Sequence, residues 1–138
     1  MIERTFCILK PDLTAKTRDV VAVLVRILGI NLVPVRMLRT QMTRAEALEL
    51  YQEHEGQSYF EPNVAFVTSG LVYLIVLEGE AACARLRELI GSTDPTKAQR
   101  GTLRQLFGSE LPRNAVHGSA SPAEAAREIE IFFGGPRS

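Results

Sequence analysis

Seven consecutive apolar residues at positions 71–77 constrain the fold more than any other part of the chain. The run ends at Glu78 and Gly79, which mark a turn. An uninterrupted apolar run of this length is typical of a strand that is buried on both faces. We therefore expect it to form the central strand of a sheet, around which the other elements pack.

Patterns on either side of this run predict an alternation of strands and helices. Alternating or apolar segments indicate three further strands, at residues 4–9, 31–40 and 115–117. Helical spacing, capping residues and closing glycines predict helices at residues 20–28, 43 to about 53, 80–90, 102–107 and 122–133. These strands are too few and too short for a wound nucleotide-binding sheet. The simplest fold is α+β: a ferredoxin-like, four-stranded antiparallel sheet with helices on one face and extra surface helices.

The composition excludes several classes of protein. The 138 residues suit one domain, and 16 basic residues balance 16 acidic ones, so no overall field favours nucleic acid or an anionic membrane. The sequence has no apolar run of the ~20 residues that span a bilayer, and its start lacks the pattern of a signal peptide. Cys7 and Cys83 lack metal-type spacing, and we expect buried free thiols in a reducing cytoplasm.

One of the two histidines, His117, occupies a position that suits a catalytic residue. It lies between an apolar pair and the Gly118-Ser119 turn, just before a helix that Ser121 and Glu124 predict to begin with a capping box. A histidine is ordinarily largely neutral and nucleophilic near pH 7. The alternative is a hydrogen-bonded structural histidine, which is the commoner role for a lone one.

A carboxylate on the same helix gives His117 a candidate partner. The expected core stripe of this helix includes Ala125, Ala126 and Ile129, and Glu128 falls at its edge. A carboxylate there accepts one ring N–H of a histidine and leaves the other nitrogen to attack. The alternative is an ordinary glutamate on the helix surface.

Four cations and three polar donors lie where loops meet the predicted elements: Lys10, Arg87, Arg104, Arg113, Thr93, Asn114 and Ser119. If they converge, they form a polyphosphate site through charge-assisted hydrogen bonds. Otherwise they are solvated surface groups, as most lysines and arginines are. The sequence contains neither G-x-G-x-x-G nor a P-loop.

Aromatic residues flank a polar connection after the second helix. Tyr51, Tyr59 and Phe60 are ordinary candidates for packing, but a ring at the edge of a cleft also stacks on a nucleobase. We expect His54, in the same connection, to be exposed.

Motifs in a fixed order run along nearly the whole chain: Glu3-Arg4-Thr5-Phe6, Lys10-Pro11-Asp12, Ser69-Gly70, Glu78-Gly79, Gly91-Ser92-Thr93-Asp94-Pro95, Gly101-Thr102-Leu103-Arg104 and Arg113-Asn114-Ala115-Val116-His117-Gly118-Ser119. Together they resemble the nucleoside diphosphate kinase family, for which Asn-x-x-His-Gly-Ser is highly specific. The resemblance implies a βαββαβ core, one family domain over residues 1–138, and reversible ping-pong transfer of the terminal phosphate from a nucleoside triphosphate such as ATP to a nucleoside diphosphate.

The resemblance also implies a role for each site residue. The catalytic set is His117 as the phosphate acceptor, Glu128 as its orienting partner, Ser119 holding Glu128, and Lys10. The nucleotide-binding set is Lys10, Tyr51, Arg104 and Asn114 around the phosphates and sugar, Arg87 and Thr93 at the non-terminal phosphates, and Tyr59 against the base. Mg²⁺ is expected to travel with the phosphates rather than in a protein cage. The expected assembly is a homo-oligomer built from dimers.

The chain departs from the family pattern in its loops. The segment after Asp12 differs and is one residue shorter, Leu71 and Ala120 replace the family's usual proline and aspartate, and the tail after Phe133 is short. These differences leave open a non-catalytic relative that binds nucleotides or partners. A ferredoxin-like regulatory domain without a nucleotide role is a third hypothesis.

Overall fold

A four-stranded antiparallel sheet in the order β2-β3-β1-β4 organises the computed structural model, which describes residues 1–134. The strands are β1 (Ile2–Leu9), β2 (Val33–Gln41), β3 (Leu71–Glu80) and β4 (Val116–Gly118). The apolar run at 71–77 lies in β3, between β2 and β1, so its predicted central position is confirmed. The edges of the sheet are the nine-residue β2 and the three-residue β4.

Within residues 1–134, seven helices surround the sheet: α1 (Pro11–Thr14), α2 (Thr17–Gly29), α3 (Arg44–Leu50), α4 (Phe60–Val67), α5 (Ala82–Ile90), α6 (Leu103–Phe107) and α7 (Pro122–Phe133). Short 3₁₀ turns follow α3 and α5 at Gln52–His54 and Pro95–Lys97. The order β1-α2-β2-β3-α5-β4 is the ferredoxin-like βαββαβ core. The predicted fold class is therefore confirmed.

The arrangement of helices differs from the expectation in one respect, because both faces of the sheet are covered. Alternate residues of β1 divide between two cores: Cys7 and Leu9 pack with α2 and α5, whereas Phe6 and Ile8 pack with α3, α4 and α7. Helices α3, α4 and α7 thus build a second core rather than lying at the surface. Residues 6–9 of β1 and 72–77 of β3 are apolar on both faces, as a sheet between two layers requires.

Two helices have no counterpart in the sequence prediction. The eight-residue α4 is apolar at most positions and carries Pro62 near its start, so it shows no clear helical alternation. The single turn α1 begins at Pro11, which the sequence indicates only as a break after a strand. The boundaries of α7 are as predicted.

The two predicted helix starts differ in detail. Thr43 and Glu46 form the complete reciprocal capping box at α3. At α7, the Ser121 hydroxyl accepts the Glu124 amide N–H, but the Glu124 carboxylate pairs with Arg127 instead of returning to Ser121.

Both cysteines are buried free thiols, as expected, and burial raises the pKa of Cys7 to about 12. Among residues 1–134, no helix has the length and apolar character needed to cross a membrane. The expectation about the chain after Phe133 falls mostly on residues 135–138, which lie outside the described residues.

Candidate active site

Nine of the ten predicted site residues line one cleft of about 830 Å³. They come from the ends of β1 and α3, from α5, α6, β4 and α7, and from the connecting loops: Lys10, Tyr51, Tyr59, Arg87, Thr93, Arg104, Asn114, His117 and Glu128. The tenth, Ser119, is fully buried and bonded to Glu128. Arg113 does not line the cleft, since its guanidinium lies over the Phe66 ring, 5.2 Å from the centroid.

His117 is held by the strand that carries it and by α7. It pairs with Ile8 in the β1–β4 ladder, and its Nε2 lies 3.0 Å from Glu128 Oε1. The Phe6 ring meets the imidazole edge-on, with the centroids 6.4 Å apart. With Nε2–H donating to a carboxylate, the imidazole adopts the tautomer whose Nδ1 lone pair is free.

Glu128 is more deeply buried than its predicted position at the edge of the α7 stripe. It is 3 % exposed, whereas Ala126, which the stripe was expected to include, is exposed. The Ser119 hydroxyl donates to Glu128 Oε1 over 2.6 Å. Burial favours a neutral carboxyl group, but the His117 contact, the Ser119 hydrogen bond and the Arg127 charge hold the pKa of Glu128 below its ordinary value. The carboxylate is therefore ionised at neutral pH.

Lys10 and Asn114 form a buried pair at the floor of the cleft. The Lys10 ammonium donates to Asn114 Oδ1 over 2.7 Å, and Asn114 Nδ2 donates to the Thr93 carbonyl over 2.9 Å. Burial, together with the positive charge of Arg104, lowers the pKa of Lys10 to about 8, against a smaller opposing effect of Asp12. The floor of the cleft thus holds a cation that lacks a full counter-charge.

Two arginines extend this positive surface. Arg104 donates to the carbonyls of Gly91 and Val116, at 3.1 and 2.8 Å, and its buried Nε has no partner among the described residues. Burial and the charge of Arg87 lower the pKa of Arg104 to about 10. Arg87 donates to the Gly118 carbonyl over 3.2 Å. Neutral backbone oxygens orient these cations without neutralising them, so an anion placed here would interact strongly with them.

Two tyrosines occupy different depths of the cleft. Tyr51 is buried, and burial together with the nearby Glu128 carboxylate raises the pKa of its hydroxyl. Tyr59 is 44 % exposed at the mouth. His54, expected to be exposed, is only half-exposed because its Nδ1 lies 2.9 Å from the Tyr59 hydroxyl. A hydrogen-bonded pair of rings, one of them well exposed, thus forms one wall of the mouth.

Two residues that the sequence pattern does not identify as part of the site, Arg127 and Asp12, support it from behind. The Arg127 guanidinium donates to the Glu49 and Leu50 carbonyls at the end of α3 and lies 3.9 Å from Glu128 Oε2. Asp12 accepts the Ala115 amide N–H across 103 residues of chain. Neither contact follows from local sequence, although Asp12 belongs to the Lys10-Pro11-Asp12 motif.

The structure combines a ferredoxin-like sheet with a cationic cleft, and a histidine hydrogen-bonded to a carboxylate lies in that cleft. These features define a phosphotransferase that acts on nucleotides. Comparison with known proteins narrows this class. The family model described as nucleoside diphosphate kinase matches residues 3–137, and the chain belongs to that family.

Relatives and solved structures agree with this assignment. A nucleoside diphosphate kinase from Sorangium cellulosum (strain So ce56) is 44 % identical over 134 residues, which cover 97 % of this chain and 92 % of that protein. The Aquifex aeolicus nucleoside diphosphate kinase superposes with a TM-score of 0.92 at 35 % identity, covering 98 % and 97 % of the two chains. The Halobacterium salinarum enzyme, solved in complex with CDP, gives a TM-score of 0.92 at 35 % identity, covering 98 % of this chain and 90 % of that one. The chain is therefore a nucleotide-binding phosphotransferase, and its function is that of a nucleoside diphosphate kinase.

Proposed function

We propose that His117 Nδ1 accepts the terminal phosphate of a nucleoside triphosphate and then passes it to a nucleoside diphosphate. The observation that carries this proposal is the 3.0 Å contact between His117 Nε2 and Glu128 Oε1, with the carboxylate itself held by Ser119. The Glu128 carboxylate stabilises the positive charge that develops on the ring as Nδ1 attacks phosphorus. The bond from phosphorus to the leaving oxygen breaks, the first diphosphate departs, and the acceptor diphosphate enters the same cleft.

The cations supply the electrostatic part of the reaction. Phosphoryl transfer depends mainly on positioning and on neutralising charge at the phosphate oxygens. We assign Lys10, Tyr51, Arg104 and Asn114 to the phosphates and the sugar, and Arg87 and Thr93 to the non-terminal phosphates, as the family resemblance implies. The buried Nε of Arg104 has an unused donor for such an oxygen. Tyr51, beside Glu128, completes the inner wall.

Mg²⁺ enters this scheme with the nucleotide. Among residues 1–134, no group of three or more His, Cys, Asp and Glu side chains could hold a metal ion. The phosphate end of the cleft presents cations, which suit the polyphosphate and repel an isolated metal ion. Mg²⁺ bound to the phosphates supplies further charge neutralisation when the nucleotide is present.

The outer wall is proposed to bind the nucleobase. The exposed Tyr59 ring offers a face on which any base stacks, because every base has a π-surface. Stacking without hydrogen-bond readout discriminates weakly among bases, which suits an enzyme that accepts many nucleotides.

We further propose that the chain forms one domain over residues 1–138 and assembles into a homo-oligomer built from dimers in the cytoplasm. The sheet edge β2 and α2, the helix that precedes it in the chain, expose large apolar side chains: Val21, Val25, Leu28, Val33, Val35, Met37 and Leu38. An exposed apolar edge strand pairs readily with another chain, and a second copy supplies a matching edge. The two free thiols suit a reducing compartment.

The test is a two-step labelling experiment. Protein mixed with γ-labelled ATP and Mg²⁺ is expected to form an acid-labile, alkali-stable phosphoprotein that passes its label to GDP. His117→Ala should form no phosphoprotein yet still bind nucleotides, because it loses the nucleophile and little binding surface. His54→Ala is the matched control, since it removes the other histidine of the chain and of the cleft, and it should still be labelled. Label on the His117→Ala protein, or none on the wild type, would contradict the proposal.

A further inference from the structure

The backbone just before the proposed nucleophile is folded into a tight turn. The Val116 amide donates to the Asn114 carbonyl over 2.8 Å, which closes a three-residue γ-turn centred on Ala115. Ala115 has φ +72°, in the left-handed region that residues with a Cβ rarely adopt. This is the rarer and more strained kind of γ-turn. The turn separates Asn114, which contacts Lys10, from the strand that carries His117.

Both polar groups of Ala115 are held by the segment that follows β1. Its N–H donates to Asp12 Oδ2 over 3.0 Å, and its carbonyl accepts the Lys10 amide N–H over 2.8 Å. The Lys10 side chain simultaneously donates to Asn114. The segment from Lys10 to Asp12 therefore hydrogen-bonds both the N–H and the carbonyl of Ala115. Of these two bonds to the Ala115 backbone, only the one with Asp12 involves a side chain.

We propose that Asp12 is a positioning residue for phosphoryl transfer: its carboxylate holds the Ala115 turn in its left-handed conformation and thereby sets the placement of His117 and Asn114. The proposal rests on the function proposed above for those two residues. Asp12 itself does not line the cleft, so it acts through the turn rather than on the nucleotide.

Asp12 could also influence the site through its negative charge, and this effect predicts a different result. The Asp12 charge also acts on Lys10, in the direction that keeps the ammonium protonated. An effect of this charge would be lost in Asp12→Asn, which can keep an amide oxygen for the Ala115 N–H. An effect of the hydrogen bond would survive in Asp12→Asn and disappear in Asp12→Ala. The two substitutions therefore separate the bond from the charge.

The chain offers a matched control for the loss of such a bond. Glu3 Oε1 accepts the Cys83 amide N–H over 2.9 Å, across 80 residues and far from the cleft. Like Asp12, Glu3 is half-buried. Glu3→Ala removes the same kind of carboxylate-to-amide bond without touching the site.

The experiment measures the rate of phosphoprotein formation from saturating γ-labelled ATP, together with the ATP dissociation constant, in five proteins: wild type, Asp12→Ala, Asp12→Asn, Glu3→Ala and Asp12→Ala combined with Ala115→Gly. Asp12→Ala should slow labelling by about 10- to 100-fold, the scale on which a small misplacement of a reacting group acts, with a much smaller change in ATP affinity. Asp12→Asn and Glu3→Ala should stay near the wild-type rate. Ala115→Gly should restore part of the lost rate, because glycine adopts positive φ without a steric penalty.

Three results would overturn the inference: a wild-type rate in Asp12→Ala, equal losses in Asp12→Asn and Asp12→Ala, or an equal loss in Glu3→Ala. If the wild type itself is not labelled, the proposed role of His117 fails, which is a separate outcome. Thermal unfolding of each variant confirms that it is folded at the assay temperature.

Discussion

Lys10 carries its charge where a lysine is seldom found. It is 6 % exposed, and its nearest charged neighbours include a second buried cation, Arg104. Two buried cations side by side are electrostatically unfavourable, and a polyphosphate bound at the proposed site would relieve this repulsion. The positions of these individual cations in the free protein thus already favour the binding of an anion.

This environment makes nucleotide capture depend on pH. With its pKa near 8, Lys10 in the free enzyme loses its proton, and hence its charge, as the pH rises through that value. We expect kcat/KM to fall above about pH 8, because this parameter reports ionisations of the free enzyme. Lys10→Arg, which keeps its charge, should lower activity but remove this decline. A decline unchanged in Lys10→Arg would assign the ionisation to another group.

The Tyr59 ring provides a second prediction for a single residue. Tyr59→Ala should weaken the binding of ADP, GDP and CDP alike by ~1–3 kcal/mol, the usual range for loss of one stacking contact. Tyr59→Phe keeps the ring face but loses the bond to His54, so its effect should be much smaller. Calorimetry on His117→Ala protein measures these affinities without turnover. A loss confined to one base would contradict stacking as the main contact.

At the level of elements, the site depends on how two helices meet. Arg127 of α7 donates to the Glu49 and Leu50 carbonyls in the last turn of α3, where helix carbonyls lack donors four residues ahead within the helix. Tyr51 follows directly after α3, and Glu128 follows Arg127, so one guanidinium joins the end of α3 to the middle of α7 beside the cleft. Charge and geometry are joined here, because Arg127 also helps to keep Glu128 ionised.

Removing this guanidinium should affect both stability and activity. Arg127→Met should lower the free energy of unfolding by about 1–3 kcal/mol, because the half-buried bonds to the Leu50 carbonyl and to Glu124 are lost, and should also reduce kcat. Arg44→Ala is the control, since the Arg44–Glu61 ion pair is well exposed and should contribute under about 1 kcal/mol. Urea unfolding and steady-state kinetics measure the two effects. Equal stability losses in both variants would refute the special role of Arg127.

The contrast between α4 and α7 shows what the sequence can reveal about elements. Ser121, Pro122 and a regular apolar stripe mark α7, and its boundaries are as predicted. In contrast, α4 is apolar at most positions, so only its contact with the second core distinguishes it as a helix. That second core was not foreseen, because local patterns do not say which face of a sheet a helix covers.

The residues of the site could be predicted from the family motifs, because these motifs identify residues that lie close together in the fold although they are far apart in the chain. Hydrophobic periodicity contains no such information. Residues at motif positions, such as Lys10 and Asn114, could be named in advance. The roles of Arg127 and His54 could not, since each depends on an orientation set only by the packed fold.

For the whole molecule, the exposed apolar surface of α2 and β2 predicts self-association. Met37 is 50 % exposed on the edge strand, so Met37→Glu should weaken dimers while leaving the monomer fold intact. Light scattering coupled to size exclusion should show a shift toward monomer. Glu61→Ala, on α4 away from this surface, should keep the wild-type mass. An unchanged mass for Met37→Glu would place the interface elsewhere.

The strand order β2-β3-β1-β4 also has a consequence for the chain as it leaves the ribosome. β1 is made first, yet its second neighbour, β4, is synthesised more than a hundred residues later. One edge of an apolar strand therefore stays open through most of translation, when unpaired edges invite wrong partners. The strand that finally covers this edge carries His117, so the nascent chain gains its proposed nucleophile in the same step that closes its sheet.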